Sequence, residues 1–152
     1  MTLDVKIVDV EAKPALVMDI RCTQAQMGEV MGQAYDRLAQ VAQEAGITFT
    51  GPPFAAYHDM SGPEWQGTVG FPVAGPVEGQ GEVKAGHTPG GKAAMVMHVG
   101  AYEQLAEQWT AFSEWRGANG YPMERLAWEV YLVGPESGPD AAQWQTALYW
   151  AI

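Results

Sequence analysis

Cysteine is nearly absent: Cys22 is the single one in 152 residues, which excludes an internal disulfide framework and fits a reducing compartment. With no cysteine partner and no neighbouring basic pair, Cys22 reads as a small buried hydrophobe near a strand end. Positive charge is scarce too, with 8 Lys and Arg against 18 Asp and Glu and a formal net charge of -10. Such a field repels phosphate backbones and anionic membrane surfaces and draws in cationic small molecules, so neither a nucleic acid nor a membrane is expected as a partner. Long apolar runs are missing, since no stretch approaches the roughly 20 residues of a membrane span. The start, Met1-Thr-Leu-Asp-Val-Lys6, has no basic leader followed by an apolar run, and a cytoplasmic location is expected. The three histidines, His58, His87 and His98, lie far apart and in no ligand spacing, so no metal is expected. No glycine run follows the strand–glycine–helix order of a phosphate loop, and neither Ser61 nor Ser113 lies on a nucleophile elbow. No cofactor is expected.

What is present is the composition of a globular chain, 47% hydrophobic and 17% charged, of a length that fits one domain over residues 1–152. Residues 3–10 alternate as an edge strand does, and Ala15–Ile20 reads as a more apolar strand after Pro14. Thr23 stands at an N-cap position before Gln24–Ala45, where Met27, Val30, Met31, Ala34, Leu38, Val41 and Ala45 form the stripe of an amphipathic helix that Gly46 closes. Phe54–Met60 and Gln66–Val73 read as a hairpin, Glu82–Thr88 as a short edge strand and Lys92–Val99 as an apolar one. A second helix is expected over Tyr102–Ala118, with Leu105, Trp109, Phe112 and Trp115 on one stripe and Asn119-Gly120 at its end. The last strand runs from Trp144 to Trp150.

Between these lies Leu126-Ala-Trp-Glu-Val-Tyr-Leu-Val133. Period two puts Leu126, Trp128, Val130 and Leu132 on one face, which reads as core, and Ala127, Glu129, Tyr131 and Val133 on the other. A carboxylate on a central strand is costly to bury unless a partner, water or ligand compensates it. Glu129 is therefore the candidate centre of a site.

Two halves, about 1–75 and 80–152, repeat one order of elements: strand, helix, hairpin. Phe54-Ala-Ala-Tyr57 with Trp65 aligns with Leu126-Ala-Trp-Glu129 with Trp144, which puts Tyr57 where Glu129 stands. The expected fold is α+β: duplicated strand-helix-strand-strand units in one antiparallel sheet, with both helices on one face and a ligand groove on the other.

Several segments carry a family resemblance: His87-Thr-Pro-Gly-Gly-Lys-Ala-Ala-Met-Val-Met-His-Val-Gly-Ala-Tyr-Glu-Gln-Leu105, then Trp109, Trp115 and Asn119-Gly120, Trp128-Glu-Val-Tyr131 and Thr146-Ala-Leu-Tyr-Trp150. In these the chain resembles the GyrI-like small-molecule-binding family, which includes effector-binding domains of MerR-type and AraC-type regulators. The resemblance implies an aromatic groove with a glutamate, here Glu129, at its base, taking planar and often cationic drug-like molecules. It equally implies a second activity seen in stand-alone members, hydrolysis of the strained cyclopropane of DNA-alkylating natural products, with Glu129 and Tyr131 as the catalytic pair. A third implied role is a protein-interaction module, such as one that sequesters gyrase. Unlike in those regulators, no helix-turn-helix is expected within these 152 residues.

The wall candidates, by register and by family position, are Trp144, Tyr57, Trp65, Tyr131, Tyr35 and Tyr102, whereas Trp109, Phe112 and Trp115 read as helix packing because they share a regular stripe. A carboxylate ringed by Trp and Tyr attracts cations directly and through the ring quadrupoles, at about 0.5–2 kcal/mol per ring. Partial desolvation would also fit Glu129 for holding or accepting a proton, so binder and hydrolase call for the same residue. The partner expected is a small-molecule ligand, on a monomer or weak homodimer.

Overall fold

In a computed structural model of the protein, the structure describes residues 3–59, 62–121, 126–134, 138 and 140–152. The expected strand end at Met60, Ser61 in the following turn, Pro122, and Pro135, Glu136, Ser137 and Pro139 of the late loop lie outside the described residues. The strands are β1 (Lys6–Val10), β2 (Pro14–Thr23), β3 (Phe54–Asp59), β4 (Glu64–Pro72), β5 (Val83–His87), β6 (Gly91–Val99), β7 (Ala127–Val133) and β8 (Gln145–Ala151), with helices α1 (Met27–Ala45) and α2 (Leu105–Ala118). These are the elements of an antiparallel α+β fold, and they form two compact units, Glu11–Gly90 and Met1–Val10 with Gly91–Ile152.

In the unit Glu11–Gly90 the strand order is β3-β4-β2-β5, antiparallel throughout. A three-residue 3-10 turn, Gln24–Gln26, leads into α1, and the Gln26 side-chain carbonyl accepts from the Thr23 backbone N–H, so the start falls where Thr23 predicts it. Gly46 ends the helix in the left-handed conformation, φ 70°, a geometry that costs glycine little. Ala34, Leu38, Val41 and Ala42 are buried, as the stripe requires, while Ala45 is exposed. They cover the sheet face of Leu16, Ile20, Cys22 and Val69, leaving Asp19, Arg21 and Lys84 exposed on the other.

The second unit repeats this order as β7-β8-β6-β1. Its helix also follows a 3-10 turn, Tyr102–Gln104, and its core gathers Ala94, Val96, Phe112, Ala127, Leu148 and Trp150. Here the sequence boundaries need correcting. β1 pairs with β6 (Lys6↔Met95 to Val10↔Gly91) and β5 pairs with β2, so each edge strand belongs to the half in which it was not expected. Helical and turn signals are local, but strand partners are chosen by long-range pairing that no local pattern encodes.

The structural repeat also has a register of its own. The turns Gln24–Gln26 and Tyr102–Gln104 are equivalent, and the cross-strand pairs Ile20↔Gly67 and His98↔Thr146 precede them alike. Following each pair outward, Tyr57 opposes Gly67 and Tyr131 opposes Thr146, and a bulge follows both tyrosines. Tyr57 therefore corresponds to Tyr131, and Glu129 to Ala55. The expected match of Tyr57 with Glu129 is two residues out, because the hairpin connections differ in length and residue similarity alone cannot place a bulge.

Candidate functional site

Glu129 is 5% exposed, in the middle of β7 and opposite Leu148. Trp109, from α2, donates its indole N–H to Glu129 Oε1 at 2.6 Å, and the Tyr131 hydroxyl donates to Oε2 at 2.7 Å. Tyr131 lies two residues along the same strand, so both side chains leave the same face and the phenol reaches back to the carboxylate. Charge-assisted hydrogen bonds of this kind contribute about 1.5–3 kcal/mol each and offset part of the desolvation of a buried carboxylate. Both donors are neutral groups that fix the orientation of the carboxyl group.

The bond from α2 fixes which face this is. The expectation set the carboxylate on the face opposite the helices, whereas Glu129 lies on the face that carries α2. The alternation in β7 is as read, but the assignment of its faces is not. Trp128 is 1% exposed and stacks on Tyr149 at 5.0 Å, and Leu132 on that same face is 41% exposed. An apolar row on a strand thus marks a face free of charge, and here that face is partly open to solvent.

Around the carboxylate, Tyr102 packs edge-on against Tyr131 at 5.8 Å and tilts against Trp144 at 4.9 Å. Trp144 is held by its indole N–H to the Gly138 carbonyl at 3.3 Å. Trp109 rests on Phe112 and meets Trp150 edge-on, and the buried Arg116 guanidinium lies 3.7 Å over the Trp150 ring. Of the expected site residues, Glu129, Tyr131, Tyr102 and Trp144 come together here. In the other unit Tyr57 and Trp65 form an edge-on pair at 6.2 Å. Tyr35 belongs to a different cluster, with its hydroxyl on the Phe54 carbonyl at 2.6 Å and its ring edge on Phe71, so it ties α1 to the sheet.

Trp109 is the residue the sequence reading gave to packing. It does pack, but it also carries an N–H that must find an acceptor when half-buried, and Glu129 needs a donor. That mutual need was the available signal. Next to Tyr131 across the strand pair, Thr146 is fully buried with no hydrogen-bond partner for its hydroxyl among the described residues. His98, on the far side of Thr146, is 5% exposed and contacts the Ala101 carbonyl at 3.1 Å.

Two units with one strand–helix order, the second holding a carboxyl group buried among aromatic rings, form this α+β chain. The family model of the GyrI-like small molecule binding domain matches residues 3–152, and the chain belongs to that family. Among solved structures, the chain is similar to the EcmrR C-terminal domain, with TM-score 0.87 and 20% identity over 99% of this chain and 98% of that one. It is similar to a hydrolase from Listeria innocua, TM-score 0.60 and 12% identity over 96% and 90% of the two chains. It is similar also to SAV2435 bound to tetraphenylphosphonium, TM-score 0.65 and 6% identity over 97% and 93%. A comparison with curated protein sequences returns no match.

Proposed function

We propose that the protein binds a planar or ring-bearing small cation, with Glu129 as its charged anchor and Tyr102, Tyr131, Trp144 and Trp109 as aromatic surroundings. The observation that carries this reading is the carboxylate at 5% exposure whose two oxygens each accept from a neutral aromatic donor. Neither donor brings a charge of its own, and the ring faces beside the carboxyl group add quadrupole attraction for a cation. That a neighbour of the same fold is bound to tetraphenylphosphonium, a ring-bearing cation, supports this choice of ligand.

A cation about 5 Å from the carboxylate gains roughly 1–3 kcal/mol at effective dielectrics between 80 and 20. Glu129→Gln is therefore expected to weaken tetraphenylphosphonium binding about 5- to 150-fold in a tryptophan-quenching titration. Neutral triphenylphosphine oxide should bind both forms alike, and equal losses for both compounds would refute the anchor role.

A second reading, a hydrolase, is favoured by one feature, the Tyr131 hydroxyl at 2.7 Å from Glu129 Oε2. A carboxylate and a phenol in contact can together take a proton from water and supply one to a leaving group. Turnover of a cyclopropane-bearing alkylator that disappears in both Glu129→Gln and Tyr131→Phe would favour catalysis, and saturable binding without product would favour the binder.

A further inference from the structure

The open face of the sheet in Glu11–Gly90 carries a second constellation, of a different character. Two cross-strand pairs, Asp19↔Thr68 and Arg21↔Gln66, are separated by the pair Ile20↔Gly67. Between them is a hollow of about 470 Å³ lined by Asp19, Arg21, His58 and Gln66, together with Ile20 and Gly67. His58 reaches it because it lies two residues on from Ala56, which opposes Thr68, so alternation puts both on this face of β3.

Hydrogen bonds run in series across four strands, from His58 Nε2 to Thr68 Oγ1 at 2.8 Å, Thr68 to Asp19 Oδ1 at 2.9 Å, and Lys84 Nζ to Asp19 Oδ2 at 2.7 Å. Lys84 and Thr68 lower the Asp19 pKa, so this carboxylate is ionised and can only accept. Thr68 must then donate to Asp19, and it has only a lone pair left for His58, whose Nε2 carries the proton. Both Asp19 oxygens are thereby occupied, and Lys84 counters their charge within the row.

Beyond that row of bonds, the lining holds two side chains with N–H donors, Arg21 and Gln66. Arg21 has five N–H groups and one long ion pair, to Glu64 at 3.8 Å. Gln66 offers its amide N–H groups beside it. In a chain with only 8 Lys and Arg against 18 acids, one of those cations, Arg21, and one of three histidines line this hollow. We propose that this hollow binds a small oxyanion, a carboxylate or phosphate group, gripped by the Arg21 fork with Gln66 and His58 beside it. It is independent of the Glu129 site and selects the opposite charge.

The test is an NMR titration of the intact protein that follows the His58 ring nitrogens, with inorganic phosphate in one arm and acetate in the other. A saturable His58 shift in either arm supports the site, and the arm that responds names the oxyanion. The apparent Kd should rise at least fivefold in Arg21→Gln and fall in Glu64→Gln, which releases the guanidinium from its competitor, while Glu129→Gln leaves it unchanged. If Arg21→Gln loses its fold by circular dichroism, Gln66→Leu takes its place with the same expected weakening. A shift that grows linearly, that sodium chloride at equal ionic strength reproduces, or that survives in Arg21→Gln overturns the proposal.

Discussion

The bond from Trp109 to Glu129 ties α2 to β7, and its strength can be isolated. Trp109→Phe keeps an aromatic ring against Phe112 and Trp150 but removes the N–H that sits 2.6 Å from Oε1. Glu129→Met keeps the volume and removes the acceptor. Each single change also disturbs packing and leaves a polar group short of a partner, so neither alone measures the bond. Their double-mutant cycle cancels those terms. A hydrogen bond to this nearly buried acceptor predicts a coupling of about 1–3 kcal/mol. Urea unfolding at pH 7, followed by far-ultraviolet circular dichroism, resolves that easily, because m-values of about 1–3 kcal/mol/M move the midpoint by on the order of 1 M. Additivity within about 0.5 kcal/mol would mean that the indole and the carboxylate are neighbours without mutual stabilisation, and the description of the site would fail at its centre.

Thr146→Val should leave stability unchanged or raise it by up to about 1 kcal/mol, since the buried hydroxyl has no partner among the described residues, and a lower melting temperature would show that it has one. Asp19 titrates below its ordinary value of 3.8, chiefly through the hydrogen bond from Lys84. Its contribution to stability is present above the unfolded value and lost as pH falls through the lower folded one, and with its side chain 62% exposed the effect is small. In Lys84→Met its carboxyl titration, read by NMR, should move up toward 3.8. Burial, and secondarily Glu64, raises the Cys22 thiol pKa, so iodoacetamide at pH 8 should label native protein far more slowly than urea-unfolded protein, and equal rates would contradict its 2% exposure.

Much of this architecture is legible in one dimension wherever the governing interaction is local. The stripe from Ala34 to Val41, the cap residues Thr23 and Gly46, and the period-two alternation around Glu129 each report a neighbourhood of a few residues, and each is found where those residues place it. The partners of Lys6–Val10 and Val83–His87, the bulges after Tyr57 and Tyr131, and the face on which α2 lies are long-range facts. Trp109 shows the difference within one side chain. Its place on the α2 stripe predicts its contacts with Phe112, but the strand residue above it, twenty positions away, decides where its N–H goes.

The pairing of β1 with β6 gives the polypeptide an order of assembly. As the chain is synthesised, Lys6–Val10 emerges long before Gly91–Val99 and has to wait, unpaired, while the whole of Glu11–Gly90 is made and folds. A waiting strand is open to wrong partners, and the cost of closing so large a loop falls on the last steps of folding. Lys6 and Asp9, exposed at either end of that strand, are charges of the kind that discourage premature pairing during the delay.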